Sequence, residues 1–217
     1  GGHLTLSQST VENNNGYYGT IYSGGTLTVT QTTLANNIAN SGGGAVFNRG
    51  FLLVVNSTLS SNSAPALDGG ALRNWGGTST FVNSTIVYNT AKVTGGGLCN
   101  QQGTGALYNT IVAHSGGSGN CCGAITDGGG FAAANGSLST TDPRLAPLAA
   151  QGGHTAIHVL TEGSPAIDAG SPQPSGSEDA ACEVIDQRDA HRPADGDYDG
   201  NAVCDIGAYE YYPFTIY

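Results

Sequence analysis

Apolar residues recur along this chain in short β-branched runs set among Gly, Asn, Ser and Thr, and the runs align with one another. Residues 4–14 read beside 27–37, 52–62 and 79–89, and a weaker fifth copy ends at Val112. A threonine column (Thr10, Thr33, Thr58, Thr85, Thr110) steps by 23, 25, 27 and 25 residues. A second column, led by Gly19, Gly44, Gly70 and Gly96, steps by 25, 26 and 26. Two columns sharing one period identify a repeat unit that cannot bury its apolar face alone, whereas stacked units can. No stretch carries apolar residues at helical spacing, and each unit holds two or three short strands. A unit near 25 residues without a helix predicts an all-β fold, a single-stranded parallel β-helix of about five coils of 23–27 residues. The coils are placed in residues 1–115, and an irregular region, 116–217, continues or caps them.

Equivalent residues on stacked coils lie about 4.8 Å apart, so like side chains form files. Val11, Leu34, Leu59, Ile86 and Ile111 are expected as one internal aliphatic file. Leu4, Leu27 and Leu52 form another, and Leu6, Val29, Val54 and Phe81 a third. The inward parity changes between the two strands, which places a corner at Gln8, Gln31, Asn56 and Asn83. Asn14, Asn37, Asn62 and Asn89 are read as a turn ladder, because Asn tolerates left-handed backbone and its amide bonds from coil to coil. Asn48, Asn74 and Asn100 form a second ladder. Gly at 42–44, 69–70 and 95–97 marks bends where no Cβ fits.

Composition narrows the function classes. Gly is 35 of 217 residues, and only 10% of residues are charged, against roughly 25% in an ordinary soluble domain. The formal charge of −10 argues against nucleic acid as a partner. No run of 18 apolar residues occurs, so no transmembrane helix is expected.

Past residue 115 the chain carries Pro and most of its charge. The strings 163–170 (Ser164-Pro165-Ala166-Ile167-Asp168 within it), Asp186-Gln187-Arg188 and Cys204-Asp205-Ile206-Gly207-Ala208-Tyr209-Glu210-Tyr211 occur in this order. They resemble the choice-of-anchor Q domain of exported bacterial repeat proteins, and the preceding repeats look like its usual β-helix partner. The resemblance covers nearly the whole chain. It implies a right-handed β-helix, secretion, and a surface anchor that varies among members, with no catalytic residues. Asp189 stands here where Gly is usual.

The five cysteines lack metal-ligand spacing and suit an oxidising compartment. Cys182 is expected to pair with Cys204, and Cys99 with Cys121 or Cys122, leaving one odd thiol. Asp195, Asp197 and Asp199, in an Asp-x-Asp-x-Asp-Gly turn, have the form of a calcium loop, with Asp205 as a further ligand by another chain path. Ile206 stands where an EF-hand has its bidentate Glu, and a solvated acidic turn is the competing reading. His154 and His158 are read as hydrogen-bonded loop residues, since their surroundings are not helical. Asn56, Asn83 and Asn135 head glycosylation sequons, although the repeat already demands the first two.

Polysaccharide-cleaving β-helices need clustered carboxylates or a base beside an acidic, calcium-bridged group. The coils hold only Glu12, Asp68, Arg49, Arg73 and Lys92 as charges. The expectation is therefore a non-catalytic, secreted structural or adhesive protein of the cell surface or matrix. The alternative is a carbohydrate-active β-helix or glycan-binding module, with Tyr17, Tyr18, Tyr22, Trp75 and Tyr88 as the contact residues. The first rung begins at Leu4 and Leu6, and strand edges invite addition. Together with the aromatic tail Tyr211, Tyr212, Phe214, Ile216 and Tyr217, this rung points either to head-to-tail assembly of copies of the chain or to a fragment of a longer β-helix whose tail packs on its own coils.

Overall fold

A computed structural model describes residues 1–128, 141–174, 176–177 and 181–213. Among these residues the regular structure is all strand, wound into a parallel β-solenoid of about five turns, and each complete coil gives one strand to each of four sheets. The first sheet stacks His3–Ser7, Thr26–Thr30, Phe51–Val55, Thr78–Val82, Thr104–Tyr108 and Thr126–Asp127. The second stacks Thr10–Glu12, Thr33–Ala35, Thr58–Ser60, Thr85–Val87 and Ile111–Ala113. The third is narrow, from Asn15–Gly16 through Ile38–Ala39 and Ser63–Ala64 to Thr90–Ala91. The fourth holds Ile21–Ser23, Val46–Asn48, Leu72–Trp75, Leu98–Gln101 and Cys121–Cys122.

The files follow from this register. Leu4, Leu27 and Leu52 pair in turn, and Leu6, Val29, Val54, Phe81 and Leu107 run inside along the first sheet. Val11, Leu34, Leu59 and Ile86 also form one file, but its fifth member is Val112, and Ile111 pairs with Thr85. The expected register slips by one at this coil. Thr110 belongs to the hydroxyl column of Thr32, Ser57 and Ser84, whose side chains accept from the backbone N–H one coil back. Ile111 instead faces outward, into an apolar cluster with Val87, Leu160, Ala166 and Ile206.

At the corner, Gln8, Gln31, Asn56, Asn83 and Asn109 all have φ between 43° and 47°. In the Asn14 ladder the left-handed residue is the one before each Asn: Asn13, Asn36, Ser61 and Tyr88. The ladder Asn side chains do the bonding: each Nδ2 donates to the next Oδ1 at 3.0 Å from Asn14 through Asn37 and Asn62 to Asn89. Asn48, Asn74 and Asn100 repeat the device at 2.8 Å. Glycine is demanded where coils touch through their backbones. A Cβ on Gly70 would lie 2.0 Å from the Gly96 carbonyl oxygen.

After residue 141 the chain lies along the outer face of the second sheet. Thr33 Oγ1 donates to the Ala156 carbonyl, Thr58 Oγ1 to Gln187 Oε1, and Ala208 N to Thr85 Oγ1. The three-residue strands of the second sheet from Thr33 to Ala113 are consequently buried on both faces. One short antiparallel pair, Ala149–Ala150 with Ala156–Ile157, belongs to this flanking segment.

Candidate functional site

The three strings that carry the family resemblance converge on the flank of the solenoid. Asp186 is fully buried and accepts from the backbone N–H of Arg188, Ala190 and Glu210 and from the Arg188 guanidinium. Arg192 and Glu210 form a buried ion pair at 2.7 Å, and Arg192 also donates to the Asp205 and Gly207 carbonyls. Gln187 spans the seam, accepting from Thr58 and donating to Thr33 and Thr155. These polar groups bind one another and the solenoid, and so lock the flank onto the coils. Asp189 has φ 73°, a left-handed conformation that favours Gly; its carboxylate takes Gln31 Nε2 and lies 3.3 Å from His154.

Within the acidic region the carboxylates brought together differ from the expected set. Asp205 is fully buried, its carboxylate accepting from the N–H of Asp168 and Tyr211, which removes it from the loop. Asp199 binds the backbone of Asn201. Asp168 takes their place: one oxygen each from Asp168, Asp195 and Asp197 lie within 4.8 Å of one another. One buried oxygen of Asp168 and one of Asp195 have no hydrogen-bond partner. Burial, and then the Asp197 charge, hold the Asp168 carboxyl above its usual range. Oxygen donors of this kind fit a hard divalent cation. Asp168 lies 27 residues before Asp195, and only its acidic character inside the 163–170 string could have flagged it.

Cys182–Cys204 and Cys99–Cys122 are bonded, and Cys121 is the free thiol. The alternation of a strand decides between neighbours: Cys121 pairs with Leu98 in the core, whereas Cys122 stands beside Cys99. Burial pushes the Cys121 thiol up to about 12. His158 is buried, its Nδ1 bonded to the Ala146 carbonyl and its Nε2 to Ser60 Oγ; the carbonyl contact puts the proton on Nδ1. His114 stacks on Tyr88 and contacts Asp142 at 3.0 Å.

Asn56 and Asn83 are 4% and 0% exposed and carry no glycan in this fold, because their amides are spent on the flanking segment. Asn135, Phe214, Ile216 and Tyr217 lie outside the described residues. Tyr211 packs on the outer apolar cluster, and Tyr212 donates its hydroxyl to the His191 carbonyl, so both are committed to their own fold.

Among the described residues the flank carries a pocket of about 570 Å³ lined by Glu162, Asp197, Tyr198 and Tyr211, and the solenoid itself presents two further surfaces. A groove of about 660 Å³ runs over the first sheet, lined by outward Thr26, Thr28, Thr78 and Thr80, by Phe51, Leu53 and Val55, and walled by residues 181–183. Its titratable lining among the described residues is Tyr108 and Glu183. The second surface is an aromatic strip on the fourth sheet. Tyr17 meets Tyr18, Tyr18 and Tyr22 meet Phe47, and Phe47 leads through Arg73 to Trp75. Tyr88 is on a different face, against His114 and His158. Phe47 and Arg73 are the members that sequence reasoning did not pick out, although they share one register column with Tyr22.

Compared with family models, curated proteins and solved structures, the chain matches none.

Proposed function

We propose that this chain is a secreted, non-catalytic structural or adhesive β-helix protein of the cell surface or extracellular matrix, with copies of itself and surface glycans as partners. The observation that carries the reading is where the polar groups go. The ladder Asn residues and the Thr32, Ser57, Ser84 and Thr110 column of the coils are consumed internally, and Asp186, Arg192 and Glu210 of the flank in its lock. What is left facing outward is a rod with binding surfaces. Glycoside hydrolysis needs two carboxyl groups facing the scissile bond, and among the described residues the groove lining offers one, Glu183. The two disulfides fit an oxidising compartment, and no helix among the described residues is long and apolar enough to cross a membrane. Membership of the choice-of-anchor Q family belongs to the same proposal, supported by the convergence of its three strings. So does calcium, now at Asp168, Asp195 and Asp197.

In the assembled form, a further coil covers the first-coil strands, which lie at the edges of all four sheets with Leu4 49% exposed and Leu6 half-buried. Electron microscopy of the chain, with and without residues 212–217, tests this. Filaments that vanish on deletion while the fold persists are the expected result. Discrete particles at every concentration, or filaments indifferent to the deletion, refute tail-mediated assembly.

A further inference from the structure

We infer that the aromatic strip of the fourth sheet is a binding platform for an acidic polysaccharide chain, an assignment that rests on the adhesive reading above and gives it a site and a ligand class. Tyr17, Tyr18 and Tyr22 are 65%, 54% and 55% exposed. They are nevertheless held: Tyr17 and Tyr18 meet edge to face at 4.9 Å, and Tyr22 stacks on buried Phe47 at 5.6 Å. Exposed rings fixed in advance lose little entropy when a ligand covers them. Their apolar faces suit the C–H face of a sugar ring, and their hydroxyls remain at the wet edge of the strip.

The charge comes from Arg73. Its guanidinium lies 4.6 Å from the Trp75 ring and 5.8 Å from that of Phe47, pinned by Ser41 O and by two bonds to Gln101 Oε1. Gly42 makes room for it, since a Cβ there would lie 2.5 Å from Arg73 Cδ. Gln101 is in turn fixed by Asp68, so the cation stands in a prepared position.

Whole-chain charge conceals this arrangement. Residues 1–115 carry two acidic and three basic side chains, whereas 116–217 carry fourteen acidic and three basic. The acidic segment lies against the second sheet, whereas the strip's own rungs carry Arg73 and Arg49, with Asp68 as their acidic neighbour. Arg49 follows Asn48, the partner of Asn74, and so stands on the rung beside Trp75; Lys92 follows the third-sheet strand Thr90–Ala91. A polyanion repelled by the flank meets a complementary field on this side of the rod.

The test is binding of the full chain to polygalacturonate and to an uncharged galactomannan, at low and high salt. The expected result is salt-sensitive binding to polygalacturonate, at least tenfold weaker in Tyr18→Ala/Tyr22→Ala with melting temperature unchanged. In Arg49→Gln/Lys92→Gln the salt dependence shrinks, and Phe51→Ala, in the groove of the first sheet, binds as wild type. Equal affinity for the galactomannan overturns the charge assignment, and loss in Phe51→Ala instead moves the site to the groove. A chain that binds neither polymer yet forms filaments refutes the platform while the structural reading stands.

Discussion

Asn62→Ala cuts the amide ladder at its most enclosed rung. Asn62 Oδ1 accepts from both the backbone N–H and the side-chain Nδ2 of Asn37, and its own Nδ2 donates to Leu34 O and to Asn89 Oδ1. Asn37, Asn62 and Asn89 are fully buried, so water cannot replace what is lost. The Asn37 N–H is left without a partner, and the Asn37 amide and Leu34 carbonyl each lose one. At about 1–3 kcal/mol for each buried group left unsatisfied, the loss is about 3–6 kcal/mol. Asn14 supplies the control, because it bonds in the same column at the exposed edge, to Asn37 and to Glu12 O. Asn14→Ala should cost under about 1 kcal/mol, since water satisfies the groups it uncovers. Equilibrium urea unfolding with the disulfides intact gives both values, and amide exchange along the second sheet locates the damage. A cost for Asn62→Ala below about 1 kcal/mol, or equal to that of Asn14→Ala, would refute the ladder as a source of stability.

The remaining expectations concern the flank. Alkylation without reductant should label no cysteine in the native chain and one, Cys121, in denaturant, by mass spectrometry. Replacing Cys182 and Cys204 together by Ala should lower stability by about 3 kcal/mol in the chain-entropy model, seen as early exchange of the flanking segment before the coils. Burial, then neighbouring Glu210, pushes the Asp205 carboxyl from 3.8 up to about 8. The folded state thus holds a proton that the unfolded chain releases, and stability is lost as pH rises between those values, by at most about 1.4 kcal/mol per unit. Buried His158, pushed down from 6.5, opposes this on the acid side, so the net fall is expected from pH 6.5 to 8. Asp205→Asn should flatten the slope, and an unchanged melting profile would discount the shift. Calcium should raise the melting temperature of the wild type and leave that of Asp168→Asn alone; equal responses would remove the site.

The solenoid was legible because its interior repeats: a file of like side chains leaves a period in the sequence, and the register of the first four coils follows from it. The fifth slipped at Thr110 because two adjacent columns both carry hydroxyls, one inward and one outward, and residue type alone does not separate them. The flank leaves no period, since each of its contacts is made once. Its one trace is in the outward column Glu12, Ala35, Ser60, Val87 and Ala113, which loses charge after the first coil, where the covering begins. Asp168 and Asp205 exchanged roles for the same reason: nonlocal contacts, not loop spacing, decide which carboxylate is buried and bonded.

Stacked coils touch only their neighbours, and a rod built that way frays from its ends. The flanking segment changes this connectivity. It crosses the rungs at the corner column, where Gln31 donates to Asp189, Asn56 to Ile185 O, Asn83 accepts from Glu183 N, and Asn109 accepts from Ser171 N. One polar corner residue per coil is thus tied to a single strap, and coils separated by several rungs must open together. The same Asn and Gln side chains whose backbones take the left-handed corner supply these bonds, which gives the column a second reason to be amide. Among the described residues the side chain of Gln8, in the first coil, bonds to Gln31 and not to the strap. The strap therefore couples the second to the fifth coils and, among the described residues, leaves the first outside it.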